Sequence, residues 1–260
     1  MEDFEIDWSQ NIAAIFRGNK KYLKAVKDID LIDLDSLIAI DKQKQEICDN
    51  TELFLANHKA NNALLWGARG TGKSSLIKGL LNKYKDDGLC IVEIPRNELG
   101  YLVDICDALR NVDKKFILFC DDLSFDKGDN SYKMLKGALE GSIEAPAKNI
   151  LFYATSNRRH LIPEKMSDNF DAKYIEEELH QSDAIEEQLS LSDRFGLILS
   201  FPSIDQPTYF DIVDSYFKDF TKNRNILHTQ AARYATKRGV RSGRVAKQFF
   251  NYYLATYKQN

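Results

Sequence analysis

The nine residues GARGTGKSS, from Gly67 to Ser75, have the types and spacing that hold a phosphate chain. Gly67, Gly72, Lys73 and Ser74 match the pattern GxxxxGK[ST], with the apolar run NALLWGA before it and the amphipathic stretch SSLIKGLLNKYKDDG after it. In a strand–loop–helix setting, Gly67, Ala68, Arg69, Gly70, Thr71, Gly72, Lys73, Ser74 and Ser75 turn successive N–H groups towards phosphate oxygens. The helix N-terminus adds a partial positive charge there. Lys73 reaches the β- and γ-phosphates in such a loop, and the Ser74 hydroxyl completes an Mg²⁺ shell. The chemistry implied is binding of ATP and Mg²⁺ by a P-loop NTPase.

A second set of polar groups ends the run ILFCDD. Its apolar residues carry a strand to its C-terminal edge, where Asp121 and Asp122 emerge. Asp121 is placed to hold Mg²⁺ through its water shell. Asp122 either orients or deprotonates an attacking water, or caps the following loop. Asn157 ends YATSN as a turn residue, or as an amide that reaches the γ-phosphate or the water. Arg194 precedes the apolar run FGLILSF and either pairs with Asp193 or another acid, or meets an anion. Arg241 and Arg244 open the last helix, where a cation opposes the helix dipole, and a nucleotide phosphate nearby resolves that conflict.

These residues need strands to bring them to one edge. NALLWGA, LCIVEI, KFILFC, NILFYAT and FGLILSF read as five strands. Amphipathic stretches alternate with them, a pattern of parallel pairing with helices on both faces. Residues 1–60 read as a mainly helical segment, residues 61–203 as the α/β nucleotide-binding core, and 204–260 as a small all-helical lid. Pro207 suits a first helical turn and Gly239 a helix stop. Gly100 and Tyr101 read either as a substrate-gripping loop or as helix packing with Leu102 and Ile105.

Composition narrows the class. With 260 residues, 43% apolar and 29% charged, the chain has enough apolar residues for a sizeable core. No apolar run approaches ~18 residues, so neither a membrane span nor membrane association is expected. The acidic start MEDFEIDWSQ carries no secretory pattern, and a cytoplasmic location is expected. Cys48, Cys90, Cys106 and Cys120 lack metal-ligand spacing and read as buried free thiols.

The motif set GARGTGKSS, ILFCDD, ATSN, SLSDRFG and SGRVAKQF resembles the AAA+ ATPases in order and spacing, from about Leu64 to Phe250. More narrowly, NNALLWGARGTGKSSLIK, CDDLSF, YATSNRRHLIPE and LSLSDRFGL look like a bacterial family of stand-alone AAA+ ATPases whose function is undefined. The resemblance implies a five-stranded parallel α/β core with a helical lid. It makes Asn157 sensor 1, Arg194 an arginine finger acting on a neighbouring subunit, and Arg244 sensor 2. Arg158 and Arg159 are alternative fingers, and Arg241 an alternative sensor 2. Motor ATPases usually carry a longer Glu at the Asp122 position, which leaves its hydrolytic role open. The implied activity is ATP hydrolysis by a homo-oligomer that remodels or switches a macromolecular partner.

Charge is uneven along the chain. Residues 221–260 contain nine Lys or Arg and no Asp or Glu, and Glu164 to Glu187 holds nine acids against Lys165 and Lys173. The basic lid pairs with that acidic segment, in the same or a neighbouring subunit, meets nucleic acid, or is a solvated face. The alternative function is therefore a nucleic-acid-binding ATP switch or loader with slow hydrolysis. A small-molecule P-loop kinase fits poorly, since no acceptor-site signature appears.

Overall fold

The computed structural model describes residues 5–125, 131–140, 145–158, 161, 191, 193–220 and 223–257. All five apolar runs form strands: β3 (Ala63–Gly67), β4 (Leu89–Glu93), β5 (Lys115–Cys120), β6 (Ile150–Ser156) and β7 (Leu197–Phe201). They pair in parallel in the order β4-β5-β6-β3-β7. The glycine loop at the end of β3 and the acids at the end of β5 thus share one edge of the sheet.

The sheet is wider than five strands. β1 (Ala13–Arg17) pairs in parallel with β4 and antiparallel with β2 (Tyr22–Ala25), extending it to seven. This departs from the mainly helical reading of residues 1–60. Arg17, Lys20, Lys21 and Lys24 fall at helical i, i+3, i+4, i+7 spacing, which masks two strands too short to show clear alternation. Burial of Ala13, Ala14, Phe16 and Leu23 decides for the hairpin. The helical part of the segment is α1 (Asp41–Leu55).

Alternating strand residues feed two cores. Leu65, Ile91, Ile117, Phe119 and Tyr153 face α1 and the loop helix α2 (Lys73–Tyr84) through Ile47, Phe54, Leu76, Ile77 and Leu80. Leu64, Val92, Leu118, Cys120 and Ala154 face the other way, with α3 (Leu102–Leu109) and α4 (Ser131–Glu140) supplying Ile105, Leu109 and Leu135. Tyr101 packs on this second core, its ring 5.2 Å from that of Phe16, so the packing reading of Gly100-Tyr101 holds. The four cysteines are free, and burial pushes the Cys90 thiol up to about 11 and Cys120 up to about 12.

A buried polar network pins α1 to the sheet. Asn50 Nδ2 donates to Asn61 O (2.9 Å) and Tyr153 Oη (2.8 Å), while Asn50 Oδ1 accepts from Asn61 N at 2.9 Å. Thr51 Oγ1 and Tyr153 Oη share a bond of 3.1 Å. Asn50→Ala is expected to lower unfolding free energy by about 2 kcal/mol, because it strands buried partners. Chemical denaturation should show this as a lower midpoint at an unchanged slope.

After Phe201 come α5 (Gln206–Tyr216), α6 (Arg224–Arg238) and α7 (Gly243–Tyr257). Asp205 caps α5 with Pro207 in its first turn, and Gly239 ends α6 at φ 69°. Tyr209, Val213, Leu227, Ala231, Ala246 and Phe249 form a third core among these helices. No helix among the described residues is long and apolar enough to cross a membrane.

Candidate nucleotide site

The loop after β3 turns where side chains are costly. Gly67 has φ 134°, and a Cβ there would lie 2.0 Å from Phe201 O. Ala68 N instead donates to Phe201 O at 2.9 Å, so the loop is fastened to the end of β7. Thr71 Oγ1 donates to Ala68 O at 2.8 Å and holds the turn from inside. Gly72, at φ 102°, leads into α2.

Lys73 is buried, and its ammonium donates to Gly67 O (2.8 Å) and Ala68 O (2.7 Å) and reaches Asn157 Oδ1 at 3.5 Å. Burial lowers its pKa, while the carboxylates of Asp121 and Asp122 work in the opposite direction. A cation is therefore confined beside two acids at the head of a helix. Ser74 Oγ donates to Asp121 Oδ1 at 2.7 Å. A hydroxyl and a carboxylate joined at hydrogen-bond distance form the hard-oxygen set that suits Mg²⁺. Among the described residues no cluster of three or more His, Cys, Asp or Glu offers a protein-only cage.

Thr155 is a site residue that the motifs do not announce. Its hydroxyl donates to Asp121 Oδ1 and accepts from Asp122 N at 3.0 Å, so one buried side chain orients both acids. Parallel register sets this up, because Cys120 lies opposite Ala154 and the following residues come together. Asp122 sits at φ 53°, in the left-handed region that Asp and Asn tolerate best among residues with a side chain. Asn157 Nδ2 donates to its carboxylate. Lys73, Ser74, Asp121, Asp122 and Asn157 therefore form one connected group.

Glu93 also lies outside the motifs. It ends β4 opposite Phe119, and burial and the nearby Asp121 charge raise its pKa. The signal available in sequence is its position as the acid closing LCIVE, one strand away from the paired aspartates.

The lid meets the loop directly. Gly243 N, at the start of α7, donates to Gly70 O at 2.9 Å. Ser242 Oγ accepts from Val245 N at 3.2 Å and caps the helix. A Cβ on Gly70 would sit 2.8 Å from the Ser242 side chain and 3.6 Å from Arg244 Cβ. Arg244 thus stands over the phosphate loop, whereas Arg241 acts on Asp205, whose pKa it helps the Thr208 hydrogen bonds to lower. Gly70→Ala combines a positive φ of 73° with this clash. It is expected to cost about 2 kcal/mol of stability and to weaken nucleotide affinity roughly tenfold, measurable by thermal shift and titration of a fluorescent ATP analogue.

Other expected residues are not brought to this group. Arg194 is exposed and precedes β7 at the edge where strands begin, since Leu197 pairs with Ala63. Arg158 follows Asn157 and is exposed. Arg69 is exposed on the loop and Ser75 half-buried in α2. Arg159 and the acidic segment Glu164 to Glu187 lie outside the described residues.

The strand order β4-β5-β6-β3-β7, the glycine loop between β3 and α2, and the helical lid on that loop define the AAA+ P-loop fold. Solved structures agree in fold. One mutant of Thermotoga maritima RuvB superposes with a TM-score of 0.56 at 18% identity, over 87% of this chain and 67% of that one. A second gives 0.51 at 13% identity, over 84% and 71%. The chain belongs to the family described as protein of unknown function (DUF815), which matches residues 9–257. No curated protein is significantly similar to it in sequence.

Proposed function

We propose that this protein is an Mg²⁺-dependent ATPase whose site is completed by a neighbouring copy, and that turnover changes the lid angle to remodel or switch a macromolecular partner. The observation that supports this reading is a separation across the sheet. Lys73, Ser74, Asp121, Asp122 and Asn157 are linked at one edge, while Arg194 stands at the other.

Lys73 supplies charge to the β- and γ-phosphates once they draw it from the loop carbonyls. Ser74 and Asp121 would hold the Mg²⁺, which would supply positive charge to the phosphates. Asp122 orients water through its carboxylate and takes its proton, and Asn157 fixes that carboxylate. Arg244 reads the phosphates from the lid, so its side chain couples the nucleotide state to α7. Arg194 of a second copy stabilises the transferring phosphoryl group.

The test is ATP turnover per subunit as protein concentration rises with Mg²⁺ present. A steep rise is expected. A rate already maximal in dilute monomer would overturn completion by a neighbour.

A slow ATP switch acting on nucleic acid is the second reading. It is favoured by the nine cations and absent carboxylates of residues 221–260. Its signature is turnover raised by DNA or RNA at low salt and lost steeply as salt increases.

A further inference from the structure

α5 and α6 do not close on each other along their whole length. Between them lies an open groove of about 730 Å³, lined by Gln206 and Phe210 of α5 and by one face of α6 that includes Asn225, His228, Arg233 and Lys237. Thr229, Ala232 and Thr236 complete the α6 face. Among the described residues that line it, none is a carboxylate. The groove is separate from the ATP site, whose lid contacts run through Ser242, Gly243 and Arg244.

Two features set the chemistry of an occupant. At one place the groove offers flat ring surface, because Phe210 and His228 stack with centroids 4.4 Å apart and planes 5° from parallel. Further along α6, Arg233 and Lys237 are exposed, four residues apart and therefore on one helix face. Asp214, the acid hydrogen-bonded to the lining His228 among the described residues, is already committed. Asp214 accepts from Arg224 Nη1 at 2.7 Å and bonds His228 Nε2 at 2.9 Å. That bond fixes the imidazole in its stack, and Arg224 offsets the carboxylate's charge.

A concave basic surface with a rigid ring platform, hydroxyls and amides fits a chain that alternates anions with flat bases. An acidic peptide would use the cations and leave the rings unsatisfied. A duplex keeps its bases stacked inside and offers none to the platform. We propose that the α5–α6 groove binds single-stranded nucleic acid, with backbone phosphates on Arg233 and Lys237 and a base against the Phe210–His228 stack. This rests on the second reading of the function, and it requires no hydrolysis.

The experiment measures fluorescence anisotropy of a labelled oligothymidylate of about 20 nucleotides on the full chain at low salt, without ATP. Arg233→Glu with Lys237→Glu is expected to weaken binding at least tenfold. Two lost phosphate contacts should also make the slope of log affinity against log salt shallower by about 1.4. Phe210→Leu keeps the apolar contact and removes the ring. It is expected to lower affinity for oligothymidylate several-fold and leave that for an abasic strand of equal length unchanged.

Thermal unfolding and binding of a fluorescent ATP analogue accompany each variant, so failure of the ATP site reads separately from failure of the groove. Four results would overturn the proposal: no binding at low salt, binding undiminished by the charge reversals, equal displacement by polyglutamate, or equal affinity for a duplex of the same length.

Discussion

Arg194→Ala is expected to lower ATP turnover about a thousandfold while ATP affinity stays within about twofold. Arg194 lies before the first residue of β7, and the phosphate loop is fastened to the last residue of that strand, Phe201. Five strand residues span about 17 Å, too far for an Arg on one edge to reach a phosphate on the other in the same subunit. In the proposed function its contribution to hydrolysis is therefore made to another copy. The decisive measurement mixes two inactive proteins. Lys73→Ala subunits retain Arg194, and Arg194→Ala subunits retain an intact loop. Their mixture should regain turnover that neither has alone. Loss of binding together with turnover in Arg194→Ala, or a mixture as inactive as its parts, would count against a finger acting in trans.

The legible parts of this chain were those where local pattern and chemistry coincide. Each of the five apolar runs became a strand: the four inner strands are buried on both faces and so apolar almost throughout, while the edge strand β7 leaves Ile198 and Ser200 exposed. Gly67, Asp121 and Asn157 fall at strand ends, and Lys73 and Ser74 open the helix after β3, so the strand and helix pattern located them. The hairpin β1–β2 was hidden because its cations have helical spacing, while its pairing partner β4 comes only after α1, β3 and α2 in the chain. Thr155 was hidden for a related reason. Its partners Asp121 and Asp122 lie on the far side of α4 in the chain, and their meeting depends on the register of β5 against β6. The preference for Arg244 over Arg241 came from the SGRVAKQF resemblance. Arg241 precedes the Ser242 cap, whereas Arg244 lies in the first turn of α7, the part of the lid that approaches Gly70.

The left-handed backbone at Asp122 bears on the missing methylene. A short acid suits φ 53°, and its carboxylate is held by Asn157 while its N–H is held by Thr155. Asp122→Asn preserves that backbone preference and nearly all the shape, but the side chain can no longer accept a proton. Turnover is expected to fall by about 10²–10⁴-fold with ATP binding retained. Single-turnover hydrolysis beside equilibrium titration checks both halves. A variant that keeps more than about a tenth of wild-type turnover would instead make Asp122 a loop cap. Thr155→Val separates position from charge. It leaves both carboxylates in place and removes the hydroxyl that holds the Asp121 carboxylate and the Asp122 N–H, so an intermediate loss of roughly tenfold is expected. If Thr155→Val were as damaging as Asp122→Asn, the hydroxyl's grip on Asp121, and with it the Mg²⁺ site, would be the limiting element. Raising the Mg²⁺ concentration would then restore Thr155→Val and leave Asp122→Asn inactive.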